Sequence, residues 1–493
     1  MNRNLSSESA AASAEDSGTF PSAIDNRPSV FSLDVLRGLA LFGLLFISIR
    51  EFSGFSFNEQ VLFHKGTHGG NYKLMTAISF LFEGKMIALF AIVFGAGILL
   101  FLQKKEYPVQ ISSADAYIRR QLWLIAFGLV NAFILLWPGD ILFQFGVMGI
   151  LLFAFTRMRS NGFFIAAILC TLIYCGKQYW NYADDKKDYK KYTAVTLVEK
   201  KFKADSTARA QKDSLDRTKD TLQLKEVLAA NKMADSLARK NDTLTKEQAE
   251  EKGKWEGILK NFKYDTAKTK GEKKAMWGGY TKVWDHIMPQ SQHKESSWLY
   301  KIGIWDIGSM LFLGMALLSI GFFSSRFSSS KYLLIAAVVL IAGFALAWLR
   351  ICYDAARITD YTKYITGNTI PYNFFLPIER MLVATGYAAL VLWLLRLKVL
   401  NWLWKAMAAT GQMALTNYFL QTIICTFLFY GYGFGYFGRL SQIELYFMIT
   451  EIILVQTVFS VLWLRYFEMG PMEWIWSYLV YRKRLPFKKP ETE

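Results

Sequence analysis

Apolar runs of membrane-spanning length dominate this chain, and basic residues flank them on every second connection. Segments such as FSLDVLRGLALFGLLFISI (31–49) and MLFLGMALLSIGFFSS (310–325) are too long and too apolar for the core helices of a water-soluble protein. About twenty apolar residues, rising ~1.5 Å each, match the roughly 30 Å of hydrocarbon in a bilayer. Of the 493 residues, 53% are hydrophobic and 16% aromatic, which agrees with lipid as the solvent. The expected fold class is an all-α polytopic membrane protein with about ten transmembrane helices.

Those spans are 33–50, 74–102, 121–137, 140–157, 162–180, 302–324, 331–350, 375–396, 413–430 and 443–465. Lys104, Lys105, Arg119 and Arg120 follow the second span, and Arg157 and Arg159 the fourth. Arg326 and Lys331 follow the sixth, Arg396, Lys398 and Lys405 the eighth, and Arg465, Arg482, Lys483, Arg484, Lys488 and Lys489 the last. Positive residues stay in the cytoplasm, so both termini are expected inside, in a multi-pass protein of a bacterial inner membrane. The same logic explains the net charge of +17, and a nucleic-acid partner is set aside.

The chain divides accordingly. Residues 1–30 are Ser-, Ala- and Asp-rich and read as a disordered cytoplasmic tail. Residues 31–180 hold the first five spans, and 301–465 the second five. Between them, 181–300 is a charged insert on the periplasmic side, with ADSTAR (204–209) and ADSLAR (234–239) recurring. Leu215, Leu222, Leu237 and Leu244 fit one helical stripe, so a helical hairpin is expected, able to self-associate. A solvated insert without fixed structure is the alternative. Trp474, Trp476, Tyr478 and Tyr481, ahead of a basic cluster, make 466–493 an interfacial helix and a cytoplasmic tail.

Charges inside spans cost about 2.5–3.5 kcal/mol on insertion scales and face protein or water. Asp34 and Arg37, at i, i+3, share a face of the first helix. They are either an anchoring ion pair or a pair that aims Arg37 at an anion. Glu83 and Lys85 interrupt the second span around Gly84. At i, i+2 they need separate partners, in a cavity or with Lys85 snorkelling. Asp140 ends the Trp137-Pro138-Gly139 turn, where it caps the next helix or acts as an acid, base or cation ligand. Asn131 and Trp137 lie in the same segment, NAFILLWPGDILFQFG (131–146). Asp306, Glu379, Arg380, Gln412, Asn417, Gln421, Arg439 and Glu468 are further polar positions in or beside spans. Gln412, Asn417 and Gln421 are expected on one helix, where amides commonly bond across helices.

None of the four histidines lies in a span, and the HKGTHGG pair, His64 and His68, sits among glycines. No metal site is expected. The four cysteines form no CxxC and read as small packing residues. No phosphate-binding loop or hydrolase motif occurs, and no cofactor is required.

LDVLRGLALFGLLFISI, FLFEGKMIALFAIVFGAG, LLWPGDIL, GQMALTNYFLQTIICTFLFYGYG and FEMGPMEWIWSYLVY together resemble the YeiB family of bacterial inner-membrane proteins, domain of unknown function 418. The resemblance covers nearly the whole chain outside the tail and the insert. The first helix of that family is similar to that of transmembrane acyltransferases. These take acyl groups from a cytoplasmic donor such as acyl-CoA and place them on envelope acceptors. Their helix Arg is matched by Arg37. Their His falls here at Ser48, where the YeiB family often has Asn. That family also has His near Asn131, Arg at Gln412 and a basic residue at Ser477. Without a membrane histidine, proton transfer would fall to Glu83 or Asp140.

The resemblance therefore implies an acyltransferase-like core. Arg37, Glu83 and Asp140 would be catalytic. Asp34, Lys85, Asn131, Trp137, Asn417 and Gln421 would bind an envelope glycan or lipid. A small-solute transporter is the alternative, and a scaffold acting through the insert is a second. One shared cavity for Arg37, Glu83 and Asp140 is the arrangement the first reading expects.

Overall fold

The computed structural model describes residues 28–54, 69–103, 112–217, 244–262, 266–324, 326–367 and 371–489. Residues 1–27 of the tail, His64 and His68, the ADSLAR repeat, Leu222 and Leu237 lie outside the described residues. Among those described the fold is all-helical. Helix α1 spans Pro28–Phe52, α2 Gly70–Leu81, α3 Lys85–Leu102, α4 Ser113–Leu129 and α5 Leu142–Phe153. Helix α6 (Ser160–Arg217) is followed by α7 (Lys246–Phe262), α8 (Thr266–Met276) and α9 (Tyr280–His293). The remainder are α10 (Ile304–Ser319), α11 (Ser329–Thr359), α12 (Tyr361–Gly367), α13 (Leu376–Arg396), α14 (Asn401–Gln412), α15 (Ala414–Phe429), α16 (Gln442–Tyr466) and α17 (Pro471–Tyr481).

Seven helical stretches among the described residues are long and apolar enough to cross a membrane. They are Val30–Phe52, Gly70–Leu102, Ser160–Arg209, Tyr280–Ser319, Ser329–Thr359, Asn373–Arg396 and Gln442–Tyr466. Leu142–Phe153 and Ala414–Phe429 are shorter apolar helices. Several expected boundaries shift, for physical reasons. The span expected at 121–137 begins earlier, because Ser112 caps α4 by accepting from the Asp115 N–H at 3.0 Å. Arg119 and Arg120 therefore lie in the helix, and the Arg120 guanidinium rests over Trp476 of α17, 3.9 Å from the ring centroid. The span expected at 413–430 matches α15 to within a residue, and Met413, whose φ and ψ of −100° and 33° leave the helix, separates it from α14. Gln412 thus ends α14, while Asn417 and Gln421 belong to α15, contrary to the single helix expected.

The insert is mostly helical where it is described. Helix α6 runs without a break from the apolar span through residue 181 and totals 58 residues. Helix α7 packs back along it. Trp255 is fully buried among Tyr182, Tyr361, Tyr364 and Ile365, with Tyr189 and Tyr192 beside it. Lys191–Glu251 at 2.6 Å and Lys252–Glu199 at 2.7 Å flank the same seam. Such exposed pairs contribute little, so the aromatic cluster carries the hairpin.

Two helix crossings are so close that only glycine fits, the small-residue packing characteristic of membrane helices. A Cβ on Gly95 of α3 would lie 2.2 Å from the Leu311 carbonyl, and one on Gly314 of α10 would lie 1.9 Å from that of Ile92. Helices α1 and α14 repeat the arrangement: a Cβ on Gly38 would lie 2.2 Å from the Met407 carbonyl and one on Gly411 1.9 Å from that of Asp34.

Gly314→Ala should therefore push α3 and α10 apart and cost about 1–3 kcal/mol. Gly97→Ala, where nothing lies within 4 Å, should be neutral. Thermal unfolding in a bilayer mimetic measures both, and equal melting temperatures would refute the close crossing. Trp255→Ala should cost the hairpin about 3–5 kcal/mol. Limited proteolysis should then cut α6 and α7 faster while the apolar bundle stays protected.

Candidate functional site

Buried charges gather where four helices meet. Helix α3 starts after a sharp break, with Gly84 at φ +71° in the left-handed region. The Arg380 Nε donates to the Gly84 carbonyl at 2.9 Å, and its side chain leaves no room for a Cβ there. Lys85, fully buried, pairs with Glu379 of α13 at 2.8 Å and donates to the Ser79 carbonyl at 3.2 Å. Arg350 of α11 donates from Nε to Glu379 Oε2 at 2.9 Å and reaches Glu83 at 3.7 Å. Arg380 holds Asp306, in the first turn of α10, through 2.9 and 2.7 Å bonds from Nη1. The Arg50 Nη1 donates to Ser79 Oγ at 3.2 Å.

Glu83 and Lys85 thus have separate partners, as their spacing requires. Lys85 does not snorkel. It sits in the dry interior because Glu379 and a carbonyl replace water around its ammonium. The Glu83 side chain remains 42% exposed, so the chain Glu83–Arg350–Glu379–Lys85 leads from the surface to the core.

A second polar cluster forms at the α4–α5 turn. Helix α4 ends in a π-helical segment, Val130–Ile134, and Leu136 follows at φ 60°. Asp140 is fully buried. Its Oδ2 accepts from the Phe143 N–H at 2.9 Å, which caps α5. Its Oδ1 accepts from Asn131 Nδ2 at 2.8 Å and from the Tyr418 hydroxyl at 3.3 Å. Trp137 stacks on Phe52 with centroids 3.8 Å apart and is buried with it.

Arg37 lies elsewhere. Its Nη1 donates to Asp34 at 2.7 Å and to the Gly411 carbonyl at 3.4 Å, and its side chain is 29% exposed. Arg50 marks the charged cluster on the same helix, roughly 20 Å farther along at ~1.5 Å per residue. The single cavity expected for Arg37, Glu83 and Asp140 is therefore not formed. Glu473 of α17 accepts the N–H groups of Leu415 and Thr416, at the start of α15, at 2.7 and 3.0 Å. Burial pushes the Glu473 carboxyl above its ordinary value, while these bonds and that of the Thr416 hydroxyl oppose the shift.

Asn417 and Gln421 are buried and occupied in binding helices together. The Asn417 Nδ2 donates to Ser460 Oγ at 2.9 Å, and the Gln421 Nε2 to Gln456 Oε1 at 3.0 Å. Sequence reasoning missed Arg350, Tyr418 and Glu295. Arg350 stands at an expected span end, where a basic residue reads as a topological flank. Glu295 falls inside the insert as drawn from composition. Its spacing of four from Ser291, ahead of Trp298, was the available signal.

Comparison with known proteins shows what the chain is similar to. The family described as "Protein of unknown function (DUF418)" matches residues 317–483, from the end of α10 through α17. The chain is similar to "Uncharacterized protein YxaH" of Bacillus subtilis (strain 168), 24% identical over 470 residues, covering 93% of this chain and 95% of the relative. "Uncharacterized protein YeiB" of Escherichia coli (strain K12) is 34% identical over 186 residues, 37% of this chain and 46% of the relative. No solved structure matches. The chain thus carries a DUF418 match over residues 317–483, is similar along nearly its whole length to YxaH, and is similar over part of its length to YeiB.

Proposed function

We propose that this protein is a multi-pass carrier of a bacterial inner membrane, moving a small polar solute with proton exchange through its buried charges. The supporting observation is the Glu83–Arg350–Glu379–Lys85 chain at the α2–α3 break, buried but for Glu83. Each such charge costs energy to insert, and apolar residues of similar size commonly hold helices together at least as well. Charges that only brace a bundle are thus an expensive choice. Broken helices that present charged groups and backbone carbonyls are also the usual construction of transport sites. The orientation proposed keeps both termini in the cytoplasm. The charged cluster and the hairpin then face the periplasm.

One observation favours the acyl-transfer reading. Arg37 is partly exposed at the proposed cytoplasmic end. A cavity lined by Phe31, Ser32, Arg396 and Asn401 opens at the same end of α1, where an anionic donor such as acyl-CoA would arrive. Glu83 and Asp140 then lack reach to that donor, being near the other end of the bundle. A glycan or lipid acceptor would have to meet the acyl group far from Arg37.

Reconstituted protein distinguishes the two. Solute jumps across a panel of small polar solutes should give transient currents on a supported membrane, and these should vanish in Glu379→Gln. Labelled acyl-CoA should give no acylated lipid. Acylation that is lost in Arg37→Ala, with no current for any solute, would replace the carrier reading.

Asp306→Asn should leave a buried Arg380 unpaired and cost about 3–5 kcal/mol. The double variant Asp306→Asn with Arg380→Met should regain most of that stability in thermal unfolding. If the pair also serves transport, the refolded double variant should remain without current.

A further inference from the structure

Two π-helical segments lie near the Asp140 turn, one just before it and one packed on α5. Val130–Ile134 ends α4, and Lys294–Gly303 joins α9 to α10. Ser291 Oγ donates to the Ala132 carbonyl at 3.3 Å, and the Tyr280 hydroxyl to that of Ile134 at 2.8 Å. These bonds fix the register. One turn beyond Ser291 on the same face stands Glu295, against the α4–α5 corner.

Glu295 is only 7% exposed, and neither of its carboxylate oxygens has a hydrogen-bond partner. Asn131 is fully buried, and its Oδ1 has none either. Asp140 lies close enough for its charge to act on Glu295. Among the described residues no ion pair reaches Asp140 or Glu295. The groups facing them are Tyr418 on Asp140 and Lys294 on Glu295, and the Lys294 ammonium rests 4.9 Å over the Trp298 ring.

Buried polar atoms are almost always bonded, and a buried carboxylate without a partner is among the costliest groups a protein can carry. Two carboxylates in one buried place cannot both keep their charge without a cation between them. The free atoms here are all hard oxygens: both of Glu295 and the carboxamide oxygen of Asn131. Asp140 Oδ2 accepts from the Phe143 N–H, and Asp140 brings a further carboxylate to the same corner. Such a donor set suits a small hard cation and offers nothing to a soft metal.

We propose that Glu295, Asp140 and the Asn131 carboxamide oxygen form a buried site for one hard monovalent cation, sodium or a proton. It is distinct from the Lys85–Glu379 cluster, and it stands whether or not the carrier reading does. Helix irregularity has a use here. A π-turn displaces side chains from the regular helical register, and it occurs on both walls of the site.

Thermal unfolding of the full chain in detergent tests the site and separates the two occupants. Sodium chloride is titrated against choline chloride at constant ionic strength and about pH 9, where carboxyl groups near their ordinary values have released their protons. A rise in melting temperature with sodium but not choline, absent in Glu295→Gln and reduced in Asn131→Ala, assigns sodium. No sodium effect, with a melting temperature that falls from about pH 6 to about pH 9 in the wild type and stays level in Glu295→Gln, assigns the proton. The sign follows because the folded state would hold a proton that the unfolded chain has released. The proposal is overturned if Glu295→Gln responds to sodium and to pH as the wild type does, or if the wild type responds to neither.

Discussion

A charge can stay inside an apolar helical bundle only if another part of the chain takes the place of water around it. That requirement organises this molecule. Lys85 is dry because Glu379 and the Ser79 carbonyl surround its ammonium. Glu379 in turn can afford no loss of Arg350, and Arg380 depends on Asp306. Each partner comes from a different helix, so the charges set the positions of α3, α10, α11 and α13 against one another. The arrangement needs close backbones, and the glycine crossings of α3 with α10 and of α1 with α14 supply them.

Helix breaks appear where the polar work is done. Gly84 turns the backbone so that its carbonyl meets Arg380. Met413 ends α14 so that the first N–H groups of α15 are open to Glu473. The FEMGPMEWIW segment thereby acquires a physical role. Pro471 starts α17, and Glu473 satisfies another helix's free donors, a capping interaction supplied from a distance. In lipid, unpaired backbone groups of this kind would be more costly than in water.

The helical class and most apolar segments were legible because hydropathy and length speak directly to a bilayer. Break points were harder. Nothing local in FLFEGKMIALF says that Gly84 adopts the left-handed region, since the demand comes from Arg380, far away in the chain. The same holds for GQMALTN, where the break at Met413 answers to Glu473. Glu83 and Lys85 stood out as charges in an apolar run, but their partners did not, because pairing across helices leaves no spacing to read. Arg350 was hidden by its position at a span end. The separation of Arg37 from Glu83 and Asp140 was not legible, because residue type signals chemistry while depth along a helix does not.

Helix α11 carries Arg350 in the charged cluster and continues to Thr359, just before Tyr361 joins the aromatic seam around Trp255. The hairpin built on α6 is therefore mechanically tied to the cluster. From residue 181 to Arg217 the α6 rod extends roughly 55 Å at ~1.5 Å per residue. A swing of about 5° at its base would move the far end by about 5 Å over that length. Small rearrangements of ion pairs would be magnified into displacements that a neighbouring molecule could sense, as a pointer enlarges the motion of a balance.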